Sequence, residues 1–116
     1  MTSVVLDANA LMMPFQFNIN LDFEMSRLFG DPDVYIPSSV MYELKGLKRK
    51  DALMLAEKYD IYEVDSKRDE GVLQAAAELK AVLVTNDGEL RKRAREQDIP
   101  VAYLRKKAYL EVDGEY

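Results

Sequence analysis

Five short apolar runs, separated by segments of helical periodicity, constrain this chain more than any other feature. They are Val4-Val5-Leu6, Val34-Tyr35-Ile36, Ile61-Tyr62-Glu63-Val64, Ala81-Val82-Leu83-Val84-Thr85 and Ile99-Pro100-Val101-Ala102-Tyr103-Leu104. Each is short and rich in β-favouring residues, as strands are. Between the first two, Leu21, Met25, Leu28 and Phe29 fall at i, i+4, i+7 and i+8, one apolar face of a helix. Val72, Ala76 and Leu79 line another helix, and Leu90 with Ala94 a third. Strands that alternate with helices in this way predict an α/β fold with a mostly parallel five-stranded sheet and helices on both faces. The fourth run is apolar enough to be buried on both sides, and the third alternates as an edge strand does. With 116 residues and no repeat or linker, residues 1–116 read as a single domain.

Local signals refine the plan. Met13-Pro14 is expected to break the helical turn after Asn9, because proline cannot donate inside a helix. Asn20 or Asp22 starts the next helix and Gly30-Asp31-Pro32 ends it. Ser38 or Ser39 sits where an N-cap belongs, with Val40, Leu44 and Leu47 turned to the core. The last dozen residues, polar and tyrosine-containing, read as a short hairpin or arm.

Composition narrows the chemistry. The chain has no Cys and no His, which excludes disulfides, thiolate metal sites and every His-dependent triad. Hydrolytic chemistry would then rest on carboxylates, Lys, Tyr, Ser or a metal, and oxygen-only donors favour hard cations such as Mg²⁺ or Mn²⁺. A net charge of −5 argues against an all-over basic nucleic-acid binder. Three basic groups nonetheless stand out: Lys45, Lys48, Arg49 and Lys50; Arg91, Lys92, Arg93 and Arg95; Arg105, Lys106 and Lys107. No run is long enough to span a membrane, and no signal-peptide pattern opens the sequence, so a cytoplasmic location is expected.

The acids give the pattern its point. Asp7 ends the first strand and Asp87 follows the fourth. In a parallel sheet, ligands bind beyond the carboxyl ends of the strands, where strand order reverses. If strands one to three build outward on one side and four and five on the other, Asp7 and Asp87 become neighbours at that point. Glu43 lies in the helix after strand two, and Asp69 and Glu70 open the helix after strand three. Each acid also has a plainer reading as a helix cap, a helix-dipole partner or a solvated residue. Together in one cleft, four carboxylates repel one another unless a cation offsets them.

Four segments in order, Val5-Leu6-Asp7-Ala8-Asn9-Ala10-Leu11, Ile36-Pro37-Ser38-Ser39-Val40-Met41-Tyr42-Glu43-Leu44, Asp69-Glu70-Gly71-Val72-Leu73 and Val84-Thr85-Asn86-Asp87, resemble the acidic motifs of PIN-domain ribonucleases. The closing Ile99–Arg105 segment is similar to small archaeal PIN proteins related to toxin ribonucleases and ribosomal-RNA processing nucleases. The resemblance implies a PIN-like three-layer α/β/α sandwich and a Mg²⁺- or Mn²⁺-dependent endoribonuclease. By motif, Asp7, Glu43 and Asp87 match the family's acids, and Asp69 and Glu70 compete for the remaining position, with Asp69 favoured. Asn9, Ser39 and Asn86 become pocket-lining candidates, and Lys45, Arg91 and Arg95 candidate contacts to the RNA backbone. The substrate implied is RNA, single-stranded by expectation; the partners implied are a second copy of the chain in a homodimer and, for a toxin, an antitoxin protein. The alternative is an inactive PIN-like module that binds RNA or serves assembly. A fainter similarity of Leu6–Leu11 to haloacid dehalogenase-type phosphatases would make Asp7 a nucleophile, but Asn9 stands where that family needs a second Asp.

Overall fold

A computed structural model describes residues 1–116. In chain order the elements are β1 (Ser3–Leu6), α1 (Ala8–Phe17), α2 (Leu21–Phe29), β2 (Asp33–Pro37), α3 (Ser38–Gly46), α4 (Lys50–Ala56), β3 (Asp60–Tyr62), α5 (Arg68–Leu79), β4 (Val82–Val84), α6 (Gly88–Glu96), β5 (Val101–Arg105) and β6 (Tyr109–Asp113). The strands form one sheet in the order β3-β2-β1-β4-β5-β6. All pairings are parallel except β5 with β6. The chain steps outward from β1 to β3, returns through α5 to β4 on the other flank of β1, and continues outward. Right-handed crossovers in opposite directions place helices on both faces, so the α/β/α arrangement follows from the strand order. Strand order reverses between β1 and β4, where Val5 pairs with Leu83 and Leu6 with Val84.

The core forms where the sequence is most apolar. Val4, Val5, Leu6, Val82, Leu83 and Val84 are all fully buried, since β1 and β4 have a neighbour on each side and helices above and below. Leu11, Met13, Met25, Leu44 and Leu90 close the helical layers over them. No helix is long and apolar enough to cross a membrane.

Several local expectations are corrected. The sheet has six strands rather than five: the tail adds β6, because Tyr109–Asp113 alternates and buries Leu110 against the core. Pro14 does not end α1; the helix runs on to Phe17, with burial of Ala10, Leu11 and Met13 outweighing the one backbone bond that proline withholds. The third strand covers Asp60–Tyr62, not Ile61–Val64. Neither Ser38 nor Ser39 caps α3. Pro37 takes the cap position without a side-chain bond; Ser38 reaches across to Val64, before α5, and Ser39 to Arg68, its first residue. Leu47 lies beyond α3 and is 55% exposed instead of in the core. Asn20 does cap α2, accepting from the Phe23 amide at 3.0 Å.

One buried polar contact fixes the tail. Glu24 on α2, itself buried, accepts from the Leu110 amide at 2.8 Å and from Arg27 at 2.9 Å. Arg27 also donates to the Leu110 carbonyl at 2.7 Å. We expect Glu24→Ala to leave the Leu110 amide without that acceptor and to lower stability by about 1–3 kcal/mol. Urea unfolding tests this: the midpoint falls with the slope unchanged, whereas an unmoved midpoint contradicts the role given to Glu24.

Candidate active site

The site is built at the carboxyl ends of β1 and β4. Asp7 leaves β1 with extended backbone and is only 5% exposed. One of its oxygens accepts from the Ala10 amide at 2.7 Å, so Asp7 caps α1. The other accepts from the Thr85 hydroxyl. Thr85, fully buried at the end of β4, also accepts from the Asp87 amide at 3.1 Å. Asp87 in turn caps α6, its Oδ1 accepting from the Glu89 and Leu90 amides at 2.9 and 3.3 Å. The two strand-end acids are thus joined through a single threonine, and each is a cap as well as a site candidate. Sequence reasoning passed over Thr85; the signal was a hydroxyl closing an otherwise apolar strand two residues before an acid.

The other acids arrive on helices. Glu43 lies on the outer part of α3, and Asp69 in the first turn of α5. Gly71 allows these helices to approach: a Cβ there would collide with the Ser39 hydroxyl and the Ser66 carbonyl. Across this contact, Ser39 donates to the Arg68 carbonyl, and Ser38 exchanges bonds with Val64, accepting from its amide at 3.0 Å.

Electrostatics shows the acids acting on one another. Burial pushes the Asp7 carboxyl up to about 7; bonds from Thr85 and Ala10 pull it down, and Asp69 and Glu43 add to the rise. Burial and the neighbouring Asp87 also raise Asp69, against the pull of Arg93. Partial burial and Asp69 raise Glu43, with Arg68 opposing. Glu70 is paired with Arg93 on α6 at an exposed position, and its charge also adds to the rise at Asp69. Asp69 and Glu70 therefore differ in their contacts: Glu70 is bonded directly to the Arg93 guanidinium, whereas Asp69 feels it only through its charge.

The remaining candidates scatter. Asn9 sits in the first turn of α1 and Asn86 is exposed between Thr85 and Asp87, both on this rim, while Ser39 is buried at the α3–α5 contact. Lys45 is exposed on α3. Arg91 and Arg95 do not reach the acids: Arg91 stacks on Tyr103 with its guanidinium 3.6 Å from the ring centre and pairs with Asp113 at 3.2 Å, and Arg95 pairs with the same Asp113 at 3.5 Å. They tie α6 to the β5–β6 hairpin, and the basic residue of α6 that approaches the acids is Arg93.

A model of the PIN-like domain matches residues 4–107. The chain belongs to the PIN-like domain family. It is 33% identical to ribonuclease VapC4 of Methanocaldococcus jannaschii, the match covering 98% of each chain. It is 31% identical to ribonuclease VapC9 of Archaeoglobus fulgidus, covering 93% of this chain and 88% of that one. Among solved structures it superposes on the PIN domain endonuclease Utp24 with a TM-score of 0.84 and 25% identity, over 97% of this chain and 92% of that one. A domain from Methanocaldococcus jannaschii shares the fold, with a TM-score of 0.63 at 17% identity.

The donor set of this PIN-like site suits a hard divalent cation in kind: carboxylate oxygens only, in mutual repulsion. No three of them converge closely enough to form a ready cage. Asp7 offers a test of what burial, with a smaller addition from the neighbouring acids, costs the ionised form. Because its folded-state pKa is raised, the stability it contributes is full below about pH 4 and is lost as pH rises through about 7. At roughly 1.4 kcal/mol per unit, the loss is a few kcal/mol. We expect Asp7→Asn to melt above the wild type at pH 8 without divalent metal, with the gap closing towards pH 4. Melting curves across this range check it, and a gap independent of pH contradicts the assigned cause.

Proposed function

We propose that this PIN-like protein is a Mg²⁺- or Mn²⁺-dependent endoribonuclease that hydrolyses phosphodiester bonds in single-stranded RNA. Asp7, Glu43, Asp69 and Asp87 form its metal pocket, and Glu70 is left to Arg93. The observation that carries this reading is the buried Asp7 carboxyl, pushed up by burial and then further by Asp69 and Glu43. A fold gains nothing from gathering acids around a buried one, unless a cation offsets them. Two relatives named as ribonucleases, aligned over nearly the whole chain, support the choice of RNA.

When bound, the cation supplies Lewis acidity at a phosphoryl oxygen and lowers the pKa of a coordinated water. The chain's own residues do the rest. Thr85 holds one Asp7 oxygen and Ala10 the other, so the carboxylate is oriented before any ligand arrives. Asp87 keeps Oδ1 in its cap, and its other oxygen would serve the ion. Asp69 and Glu43 add negative charge to the site. Asn9 and Asn86 line the approach, and Lys45 holds the RNA backbone away from the acids, a contact that positions without reading sequence.

The test is cleavage of a labelled single-stranded RNA with Mn²⁺ and with chelator. Wild type cleaves only with metal, and Asp7→Asn and Asp87→Asn each lose about 100-fold or more, the scale of removing a group that holds charge in the transition state. RNA bound but uncut with every divalent ion supports the module reading instead. Unchanged cleavage in both variants overturns the assignment.

A further inference from the structure

A cleft of about 800 Å³ opens beside the acidic rim, between α3 and the segment leading into α5. Its volume falls within the range of small-molecule sites. Glu43 belongs to both the cleft and the rim. Tyr42, the preceding residue, holds its ring 76% exposed at the cleft wall, and Leu47 and Val64 add apolar surface. Buried Ser38 and Ser39 form the polar floor. Exposed Lys67 and Arg68 line it as well, together with the acids Glu43 and Asp65.

Two details indicate a built site. Arg68 opens α5 with φ of 51°, in the left-handed region that an arginine occupies only at a cost of about 1 kcal/mol or more. Its charge lies close enough to Glu43 to oppose the rise of that carboxyl. The walls are also fixed to each other, by Ser38 on Val64, Ser39 on Arg68 and the close approach at Gly71. An exposed aromatic ring, apolar surface, buried hydroxyls and two cations match a nucleotide: base on ring, phosphate on guanidinium.

We propose that this cleft is a nucleobase subsite, in which Tyr42 stacks the base of a nucleotide flanking the phosphate held at the acidic rim, while Arg68 and Lys67 hold that nucleotide's own phosphate. The proposal rests on the nuclease reading for its orientation, since Glu43 joins the two regions. Stacking is tolerant of base identity, so the subsite favours purines over pyrimidines by ring area rather than by hydrogen-bond pattern.

The experiment measures binding apart from cleavage. Labelled hexa-adenylate is titrated with wild type, Tyr42→Ala and Tyr42→Phe in Ca²⁺, alongside an oligomer with one abasic position at each site in turn. Because Tyr42 is exposed, the variants keep the fold, and a melting curve verifies it. Tyr42→Ala is expected to weaken binding about tenfold, the scale of losing one stacking platform, and Tyr42→Phe to retain it. One abasic position should reproduce the loss in wild type and add nothing in Tyr42→Ala. Arg68→Gln should flatten the salt dependence of binding. Equal affinity of wild type and Tyr42→Ala overturns the subsite, even if Mn²⁺-dependent cleavage is intact, and leaves the cleft to an apolar protein segment. Absence of hexa-adenylate binding overturns it too. A wild type that binds through Tyr42 but never cleaves sinks the nuclease reading and leaves the subsite standing.

Discussion

The structure depends on how a buried carboxylate is kept at the end of β1. Asp7 is almost wholly removed from water, and both of its oxygens are occupied by donors from different parts of the chain. The Ala10 amide is local and sets where α1 begins. The Thr85 hydroxyl comes from β4 and requires the two central strands to be in register. A slip of one residue in that pairing would turn Thr85 to the other face and leave the acid with half its support. The strand order, the helix start and the rim are therefore conditions of one another.

Around that point the chain uses small polar groups to join elements that apolar packing alone would leave free to slide. Thr85 joins β4 to Asp7 and to the start of α6. Ser38 joins α3 to the segment before α5, and Ser39 joins it to the first residue of α5. Glu24 and Arg27 join α2 to the tail. Each bond replaces contact with water by contact with a specific partner, which contributes little net energy but excludes neighbouring alignments.

Much of this was legible in the sequence. Apolar runs mark five of the six strands, and a sheet that builds outward on both sides of β1 brings Asp7 and Asp87 together; the observed strand order meets that condition. What was not legible has physical reasons. The β6 strand is half polar and is held by Glu24, a contact between residues far apart in the chain. Pro14 was read from its local cost alone, without the burial that offsets it. Ser38 and Ser39 carry the side chains of helix caps, and only the tertiary arrangement shows them spent on α5. Leu47 continued an apolar periodicity that ends with the helix itself. For the acids, sequence supplied candidates and order; the pairing of Glu70 with Arg93 needed the relative placement of α5 and α6.

The double employment of Asp7 and Asp87 as helix caps bears on how such a protein can change over generations. Asparagine caps a helix about as well as aspartate, so replacing one carboxylate oxygen by an amide nitrogen keeps each helix start while deleting a charge. Chemistry at this rim is thus separable from architecture by a single codon. If the rim holds the metal pocket proposed for it, a lineage can lose that function without disturbing the fold, and a descendant would keep the shape, the cleft and the tail of its ancestor.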